Sequence, residues 1–269
     1  MVGDRRPIGI FDSGIGGLTV LTEIAGRLPA EALIYLGDTA RVPYGTKSQK
    51  TIRRYAIQDT LFLLERGVKA VVVACNTASS LALNELTRYF DIPIIDVVKP
   101  GAIAAVRRTS GHVGIIGTKA TIASGSYERA IREQNPTVTI STQACPMFVP
   151  LVEEGMIEGQ IAEAMVDHYL EKLIAGGVDT LILGCTHYPL LGPMIRRRFP
   201  SLVLINSGAE AAAMAEAVLT DRQLLNRSEA SGSRTYYVTD LSSTTERVAR
   251  EWLSDSSVKL QLVSLDEAF

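Results

Sequence analysis

This sequence contains little cysteine. It also has no excess of one charge and no long apolar runs. Its 269 residues include only three cysteines, Cys75, Cys145 and Cys185, which lie far apart and form no CxxC pair. Disulfide frameworks and zinc sites need more cysteines at closer spacing, so the sequence argues against both. Any cysteine that matters to function therefore acts as a free thiol.

The charge balance and the short apolar runs exclude two further classes of protein. A total of 27 Lys and Arg residues against 29 Asp and Glu residues gives a net charge of −2, without the basic excess of a nucleic-acid-binding protein. The apolar runs are the length of strands and too short to cross a bilayer. The charged start has no apolar segment like that of a signal peptide. We expect a cytoplasmic globular protein without direct contact to nucleic acid or membrane.

Short β-branched runs alternate with longer segments of helical period along most of the chain. This alternation predicts βαβ units and an α/β fold with mostly parallel sheets. Several runs are apolar throughout, as expected of strands that helices cover on both faces. The predicted strands are residues 8–11, 33–36, 70–74, 92–98, 113–117, 138–141, 180–184, 202–205, 236–239 and 259–263.

Two helices have clear limits in the sequence. Ser48 is predicted to cap one helix, and a second is predicted over residues 160–175, where a pair of glycines follows. Each carries apolar residues on one face, which we interpret as core contacts. These residues are Ile57, Leu61 and Leu64 in the first helix and Ile161, Met165, Tyr169 and Leu173 in the second. Residues 221–234, rich in serine, asparagine and charge, are predicted as a surface loop.

The two halves of the sequence faintly resemble each other. The run AVVVACNT at residues 70–77 resembles TLILGCTH at residues 180–187, and IGIFDS at residues 8–13 resembles VGIIGT at residues 113–118. Each half thus has one strand that ends in a cysteine and another that ends in a hydroxyl residue. The repeat predicts two related α/β lobes with a cleft between them.

Cys75 and Cys185 each follow a predicted buried strand and precede a predicted helix. Unpaired N–H groups and the positive helix end favour an anion at such a position. A free thiol has a pKa of about 8.5, and these surroundings lower it, which predicts a general base near neutral pH. One strand-end cysteine is more often a small buried apolar residue. Two at matching positions favour function, whereas Cys145 has no counterpart and is interpreted as structural.

Polar side chains also follow the other predicted strands, at the edge where parallel sheets bind ligands. Their hydroxyl, amide and backbone donors suit the carboxylates of a small dianion such as a dicarboxylic amino acid. The donors are Ser13, Tyr44, Asn76, Thr77 and Thr186, and we add Pro43, Thr118 and Thr121 as candidate substrate-binding residues. Such residues are also common helix N-caps, and the sequence leaves Asn76 and Thr186 open between the two roles.

Three titratable residues are predicted near the cysteines. His187 lies two residues beyond Cys185, Asp12 ends the first strand, and Glu153 is the third candidate. A histidine or carboxylate close to a thiol tunes its ionisation. His112 and His168 lack such a neighbour and are interpreted as structural.

The segment after the first strand imitates a dinucleotide-binding fingerprint. Gly14 and Gly16 precede a predicted helix, and Asp38 ends the next strand. However, the third glycine position holds Thr19, and Asp12 would place a negative charge beside a pyrophosphate. The sequence also has no GxxxxGK[ST] phosphate loop. It therefore favours an amino-acid ligand over a nucleotide.

At these positions the sequence resembles the glutamate racemases of the aspartate/glutamate racemase superfamily. Five motifs carry the resemblance, and they are spread over nearly the whole chain up to about residue 210. The motifs are FDSGIGG at residues 11–17, GDTARVPYG at 37–45, ACNTA at 74–78, PLVEEG at 150–155 and LGCTHYP at 183–189. Together they are highly specific, while the C-terminal part of the chain contributes little.

The resemblance implies two pseudo-symmetric α/β lobes, residues 1–98 with 207–269 and residues 99–206, with the active site in the cleft. It implies catalysis without pyridoxal phosphate, another cofactor or a metal. Family members supply D-glutamate for peptidoglycan and are commonly homodimers, and family analogy alone raises DNA gyrase as a further partner. By motif position, the residues that contact substrate or tune the thiols are Asp12, Ser13, Tyr44, Gly45, Asn76, Thr77, Thr186 and His187.

The expected reaction is a two-base racemisation of L- and D-glutamate. By family analogy, Cys75 deprotonates D-glutamate and Cys185 deprotonates L-glutamate, with Asp12 beside the first thiol and His187 and Glu153 beside the second. An aspartate racemase or a broader amino-acid racemase of the same fold is the nearest alternative. A non-catalytic bilobed amino-acid-binding protein comes next, and a nucleotide-dependent oxidoreductase comes last.

Overall fold

The structure is a computed structural model that describes residues 3–265. These residues form ten strands and eleven α-helices, with short 3₁₀ helices at Thr39–Arg41, Tyr44–Thr46 and Tyr188–Leu191. The strands are β1 Ile8–Asp12, β2 Leu33–Gly37, β3 Ala70–Val73, β4 Ile94–Asp96, β5 His112–Gly117, β6 Thr139–Ala144, β7 Thr180–Gly184, β8 Val203–Asn206, β9 Arg234–Val238 and β10 Leu260–Leu262. The α-helices are α1 Leu18–Arg27, α2 Gln49–Leu64, α3 Asn76–Tyr89, α4 Val98–Arg108, α5 Lys119–Ser124, α6 Ser126–Gln134, α7 Phe148–Glu153, α8 Gln160–Ala175, α9 Gly192–Arg198, α10 Ser207–Asp221 and α11 Ser243–Leu253.

The strands form two separate parallel sheets. The first has the order β10-β9-β2-β1-β3-β4 and the second the order β6-β5-β7-β8. Helices flank both sheets, so the predicted α/β fold with two lobes is confirmed. The first sheet contains strands from both ends of the chain, and the second contains strands from its middle. The lobe bounds given above, residues 1–98 with 207–269 and 99–206, stay a prediction. Residues 1–2 and 266–269 of that division lie outside the described residues.

All ten predicted strands are present, and the largest difference concerns β4. It was expected over residues 92–98 but covers only Ile94–Asp96. The Asp96 carboxylate accepts hydrogen bonds from the backbone N–H groups of Val98 and Lys99, at 2.7 and 2.8 Å. This capping starts α4 at Val98, so the apolar run continues as a helix rather than as a strand.

The start of α2 and both limits of α8 match the prediction, but the buried faces of the two helices differ from it. Ser48 accepts a hydrogen bond from the Thr51 N–H at 3.3 Å, as an N-cap should. Ile57, Leu61 and Leu64 are only half-buried, and the buried face of α2 instead includes Ile52, Ala56 and Leu63. In α8, Tyr169 and Leu173 are buried, whereas Met165 is half-buried and Ile161 is 58% exposed. The core contacts of α8 instead include Ala162, Val166 and Leu170.

Residues 222–233 of the predicted loop are irregular and connect α10 to β9, whereas Asp221 ends α10 and Arg234 begins β9. The Asn226 N–H donates to Glu31 at 2.7 Å. Glu31 forms an ion pair with the buried Lys69 at 2.5 Å, and Lys69 also donates to the Leu224 carbonyl. The loop is therefore held by buried polar contacts on the side opposite to the strand ends that carry the cysteines.

Parallel pairing brings the carboxyl ends of all strands in a sheet to one edge. In the first sheet this edge carries Asp12 after β1 and Cys75 after β3, and in the second it carries Thr118 after β5 and Cys185 after β7. Among residues 3–265, no helix is both long enough and apolar enough to span a bilayer.

Candidate active site

A cavity of about 410 Å³ lies where the carboxyl edges of the two sheets meet. It is lined by both cysteines that were singled out in the sequence, one from each sheet. Twelve of the predicted site residues line it: Ser13, Pro43, Tyr44, Gly45, Cys75, Asn76, Thr77, Thr118, Glu153, Cys185, Thr186 and His187. Lys119 and Val149 also line it and were not predicted. The tertiary structure thus brings residues from both halves of the chain to one cavity.

Cys75 is the N-cap residue of α3 and is buried. Its sulfur lies 3.6 Å from the Ser13 hydroxyl, and the Ala78 N–H points toward it. Burial, and after it the negative charge of Asp12, raises the pKa of the Cys75 thiol to about 12. The expectation that the helix end would lower this pKa is therefore wrong, because two N–H and O–H donors do not offset burial beside a carboxylate.

Asp12 lies behind the cavity surface and is almost fully buried. Its Oδ2 accepts hydrogen bonds from the N–H groups of Gly17 at 2.9 Å and Gly14 at 3.3 Å. Its Oδ1 has no hydrogen-bond partner among the described residues. Burial raises the pKa of Asp12, while the charge of His187 and the glycine N–H groups oppose that rise. A carboxylate oxygen without a hydrogen-bond partner is suited to accept a proton.

Cys185 does not precede an α-helix, contrary to expectation. It is followed by a turn and by the 3₁₀ helix Tyr188–Leu191. Its neighbour is instead His187, whose Nδ1 lies 3.8 Å from the sulfur and whose Nε2 lies 2.9 Å from Glu153 Oε1. Burial lowers the pKa of His187, but its hydrogen bonds with Cys185 and Glu153 outweigh burial and raise that pKa to about 10. These two contacts therefore favour the protonated form of the imidazole.

The glycine-rich segment that imitates a nucleotide site brings the two halves together instead. A Cβ on Gly16 would lie 2.5 Å from His187 Cε1, so only glycine fits there. The neighbouring Thr19 hydroxyl donates to the Thr186 carbonyl at 2.8 Å. The close approach of the backbone thus serves contact with the turn that carries His187.

Three threonine hydroxyls join the halves on the other side of the cavity. Thr77 lies 3.0 Å from Thr118 and 3.3 Å from Thr121, and Thr118 lies 3.0 Å from Thr121. Thr118 is also the N-cap of α5. Thr77 and Thr118 line the cavity, whereas Thr121 lies behind them.

Tyr44 lines the cavity, but its hydroxyl is bonded to carboxylates of the first lobe. The Tyr44 hydroxyl donates to Asp38 and lies 3.0 Å from Asp59 Oδ2, inside the first lobe. Arg41 forms ion pairs with both carboxylates, at 2.6 and 3.0 Å. This buried network fixes the turn beside Thr118, which a Cβ on Gly45 would approach to 3.0 Å.

Several contacts around the site have no signal in the sequence. The Trp252 ring packs edge-to-face on His187 with centroids 5.5 Å apart, and the Arg247 side chain lies 3.4 Å from the Glu153 carbonyl. Both residues belong to α11, far away in sequence. Cys145 is fully buried in the core of the second lobe, which agrees with a structural role. Within residues 3–265, no group of three or more His, Cys, Asp or Glu side chains is placed to hold a metal ion.

Comparisons with known proteins show similarity to one enzyme family. The sequence model of the Asp/Glu/Hydantoin racemase family matches residues 16–215. A glutamate racemase from Geobacter metallireducens is 47% identical over 264 residues, which is 97% of each chain. The crystal structure of glutamate racemase from Francisella tularensis in complex with D-glutamate superposes with a TM-score of 0.92 at 38% identity, covering 98% of this chain and 99% of that one. The Thermus thermophilus glutamate racemase, in complex with beta-chloro-D-alanine, has a TM-score of 0.88 at 43% identity and 98% coverage of both chains.

Proposed function

The chain belongs to the Asp/Glu/hydantoin racemase family, and on that premise we propose that it interconverts L- and D-glutamate by proton transfer between Cys75 and Cys185. One observation carries the proposal: two cysteines from two different sheets line a single cavity. Inverting a stereocentre by proton transfer needs a base on one face of Cα and an acid on the other. Two thiols meet this need when one enters as the thiolate and the other as the thiol.

The polar lining of the cavity supports a dicarboxylic substrate. Asn76, Thr77, Thr118 and Thr186 offer amide and hydroxyl donors, and the Lys119 side chain adds a positive charge at the rim. These groups suit two carboxylates at opposite ends of a short chain. Relative kcat/KM values for glutamate and aspartate distinguish the proposal from an aspartate racemase, and a higher value for aspartate would overturn the choice of substrate.

The neighbours of the thiols support different roles for the two cysteines. By analogy with the family, Cys185 removes the α-proton of L-glutamate and Cys75 then protonates the opposite face. Reversal of these steps converts D-glutamate. In this proposal Asp12 exchanges protons with Cys75, while His187, held by Glu153, stabilises the Cys185 thiolate. The raised pKa of Cys75 supports its role as the proton donor to the carbanion formed from L-glutamate.

Hydrogen exchange tests the proposal directly. In D₂O, without added cofactor, both enantiomers of glutamate should gain deuterium at Cα as they racemise, which ¹H NMR and chiral chromatography follow. Cα exchange would also exclude a non-catalytic amino-acid-binding protein. If neither enantiomer gains deuterium while the protein is folded, the proposed racemase activity is wrong.

We further propose a setting for this activity from the family resemblance. The D-glutamate would supply peptidoglycan synthesis in the cytoplasm, and the enzyme would act as a homodimer of chains with lobes at residues 1–98 with 207–269 and 99–206. D-Glutamate auxotrophy after loss of the protein would support the first point. Analytical ultracentrifugation tests the second, and a monomer at working concentration would contradict it.

A further inference from the structure

Asn76, the residue after Cys75, is held by a tyrosine from the other half of the molecule. Tyr127 on α6 is buried, and its hydroxyl donates to Asn76 Oδ1 at 2.6 Å. The Ser207 side chain also interacts with this hydroxyl, and the Val97 carbonyl lies farther away, at 3.5 Å, which is long for a hydrogen bond. The short hydrogen bond to Asn76 Oδ1 is the strongest of these contacts by distance, and it favours one orientation of the Asn76 amide.

The opposite end of the same amide is unused. Asn76 Nδ2 is buried and has no hydrogen-bond partner among residues 3–265. A buried donor without a partner is unfavourable, because it has lost its hydrogen bonds to water. Since Asn76 lines the cavity, an acceptor bound there is placed to satisfy the amide. A carboxylate oxygen is such an acceptor, and it bonds to N–H donors more strongly than a neutral oxygen does.

The ring of Tyr127 is fixed by the backbone next to the second cysteine. A Cβ on Gly184, the residue before Cys185, would lie 3.2 Å from Tyr127 Cε2, and one on Gly101 would lie 3.4 Å from Cε1. Two glycines therefore let the ring lie directly against β7 and α4. Tyr127 contacts the residue after Cys75 with its hydroxyl and the residue before Cys185 with its ring.

We propose that Tyr127 is a positioning residue, which fixes the Asn76 amide with Nδ2 toward a carboxylate of the bound amino acid and ties together the two strand ends that carry the cysteines. The inference rests on the proposed racemase function. A hydroxyl donor on Oδ1 makes the amide present its NH₂ group to the ligand. Without that donor the amide can also present its oxygen, which repels a carboxylate.

The test is the Tyr127→Phe substitution, which removes the hydroxyl and keeps the ring. We expect KM for glutamate to rise about 10-fold while kcat stays within about threefold, because a ground-state contact to the substrate is weakened. Asn76→Ala should raise KM by at least as much, and adding Tyr127→Phe to it should cause no further change. Tyr169→Phe is the matched control, since it removes another buried hydroxyl of the same lobe, and we expect it to leave KM unchanged.

Several results would overturn the inference. The first is an unchanged KM in Tyr127→Phe. The second is a loss that is confined to kcat and adds fully to the effect of Asn76→Ala. Such a loss would indicate that Tyr127 has only a structural role. If Tyr127→Phe does not fold, Asn76→Asp tests the same contact: with Tyr127 holding one oxygen, the other faces the ligand, so an unchanged KM is again contradictory. A wild-type protein that fails to racemise glutamate refutes the proposed function itself, whereas an active wild type with an unaffected Tyr127→Phe variant refutes only this inference.

Discussion

The two cysteines occupy equivalent places in the two sheets but opposite electrostatic surroundings. Cys75 caps a 14-residue α-helix and has the buried carboxylate of Asp12 as its charged neighbour. Cys185 precedes a four-residue 3₁₀ helix and has His187, itself paired with Glu153, beside its sulfur. One thiol thus lies beside a negative charge and the other beside a positive charge. The two lobes are thus similar up to the cysteines, and they differ in the residues that surround each thiol.

This difference matters for the proposed two-base mechanism, which needs one thiol in its protonated form. A carboxylate in a buried place disfavours a second negative charge, and the pKa of about 12 keeps Cys75 in its thiol form at neutral pH. A protonated imidazole has the opposite effect on an adjacent sulfur. Symmetric surroundings would give the two thiols equal proton affinity. The two thiols of the proposed mechanism therefore have charged neighbours of opposite sign.

Replacing either cysteine by serine should have the largest effect on racemisation. We expect Cys75→Ser and Cys185→Ser each to reduce racemisation by at least about 100-fold, because a hydroxyl is a much weaker acid than a thiol and acid–base catalysis contributes on this scale. Circular dichroism of the glutamate solution measures the rate. Cys145→Ala, in the core of the second lobe, is the control and should retain activity. A fully active Cys185→Ser protein would refute the two-base mechanism.

Substitutions of Asp12 and His187 test whether the two thiols have neighbours of opposite charge. Asp12→Asn removes negative charge, which lowers the pKa of Cys75 from about 12, so the rising limb of kcat against pH for D-glutamate should move to lower pH. His187→Gln removes the positive charge beside Cys185, so the rising limb for L-glutamate should move to higher pH. Each variant should also lose about 10-fold in kcat, and both profiles should remain bell-shaped because each direction needs one ionised thiol.

The control for these charge changes is Glu154→Gln, which neutralises the exposed carboxylate next to Glu153 in sequence. Its pH profiles should match those of the wild type in both directions. Shifts of the same sign in Asp12→Asn and His187→Gln would contradict the assignment of opposite surroundings to the two thiols.

The smallest expected effects come from two glycines of the first lobe. Gly16→Ala would place a Cβ 2.5 Å from His187 Cε1, so we expect His187 to shift and kcat to fall about fivefold. Gly26→Ala, in α1 with open space around it, should instead stabilise the protein by about 0.5–1 kcal/mol with unchanged kcat. Chemical denaturation and steady-state kinetics separate the two outcomes. Equal kcat values for both variants would mean that the first lobe does not position His187.

Sequence patterns predicted the elements of the fold well, because burial on both faces of a parallel sheet leaves apolar runs that are easy to detect. They predicted the limits of α8 but not its buried face, since Ile161 fits the helical period and still lies in solvent. They placed most of the cavity lining because polar residues stand directly after strands. Tyr127 and Trp252 were missed, since a lone aromatic residue within a helix has no pattern that points to a distant active site.

The sequence by itself determined the α/β class, the repeat of a strand-end cysteine and the family motifs, since these depend on residue type and short spacing. Only the tertiary structure decided which charge faces each thiol and which distant residues hold Asn76 and His187. The reason is that proton affinity and side-chain orientation depend on burial and on neighbours within a few ångströms. Here those neighbours come from opposite halves of the chain, as the contacts of Tyr127 with Asn76 and of Trp252 with His187 illustrate.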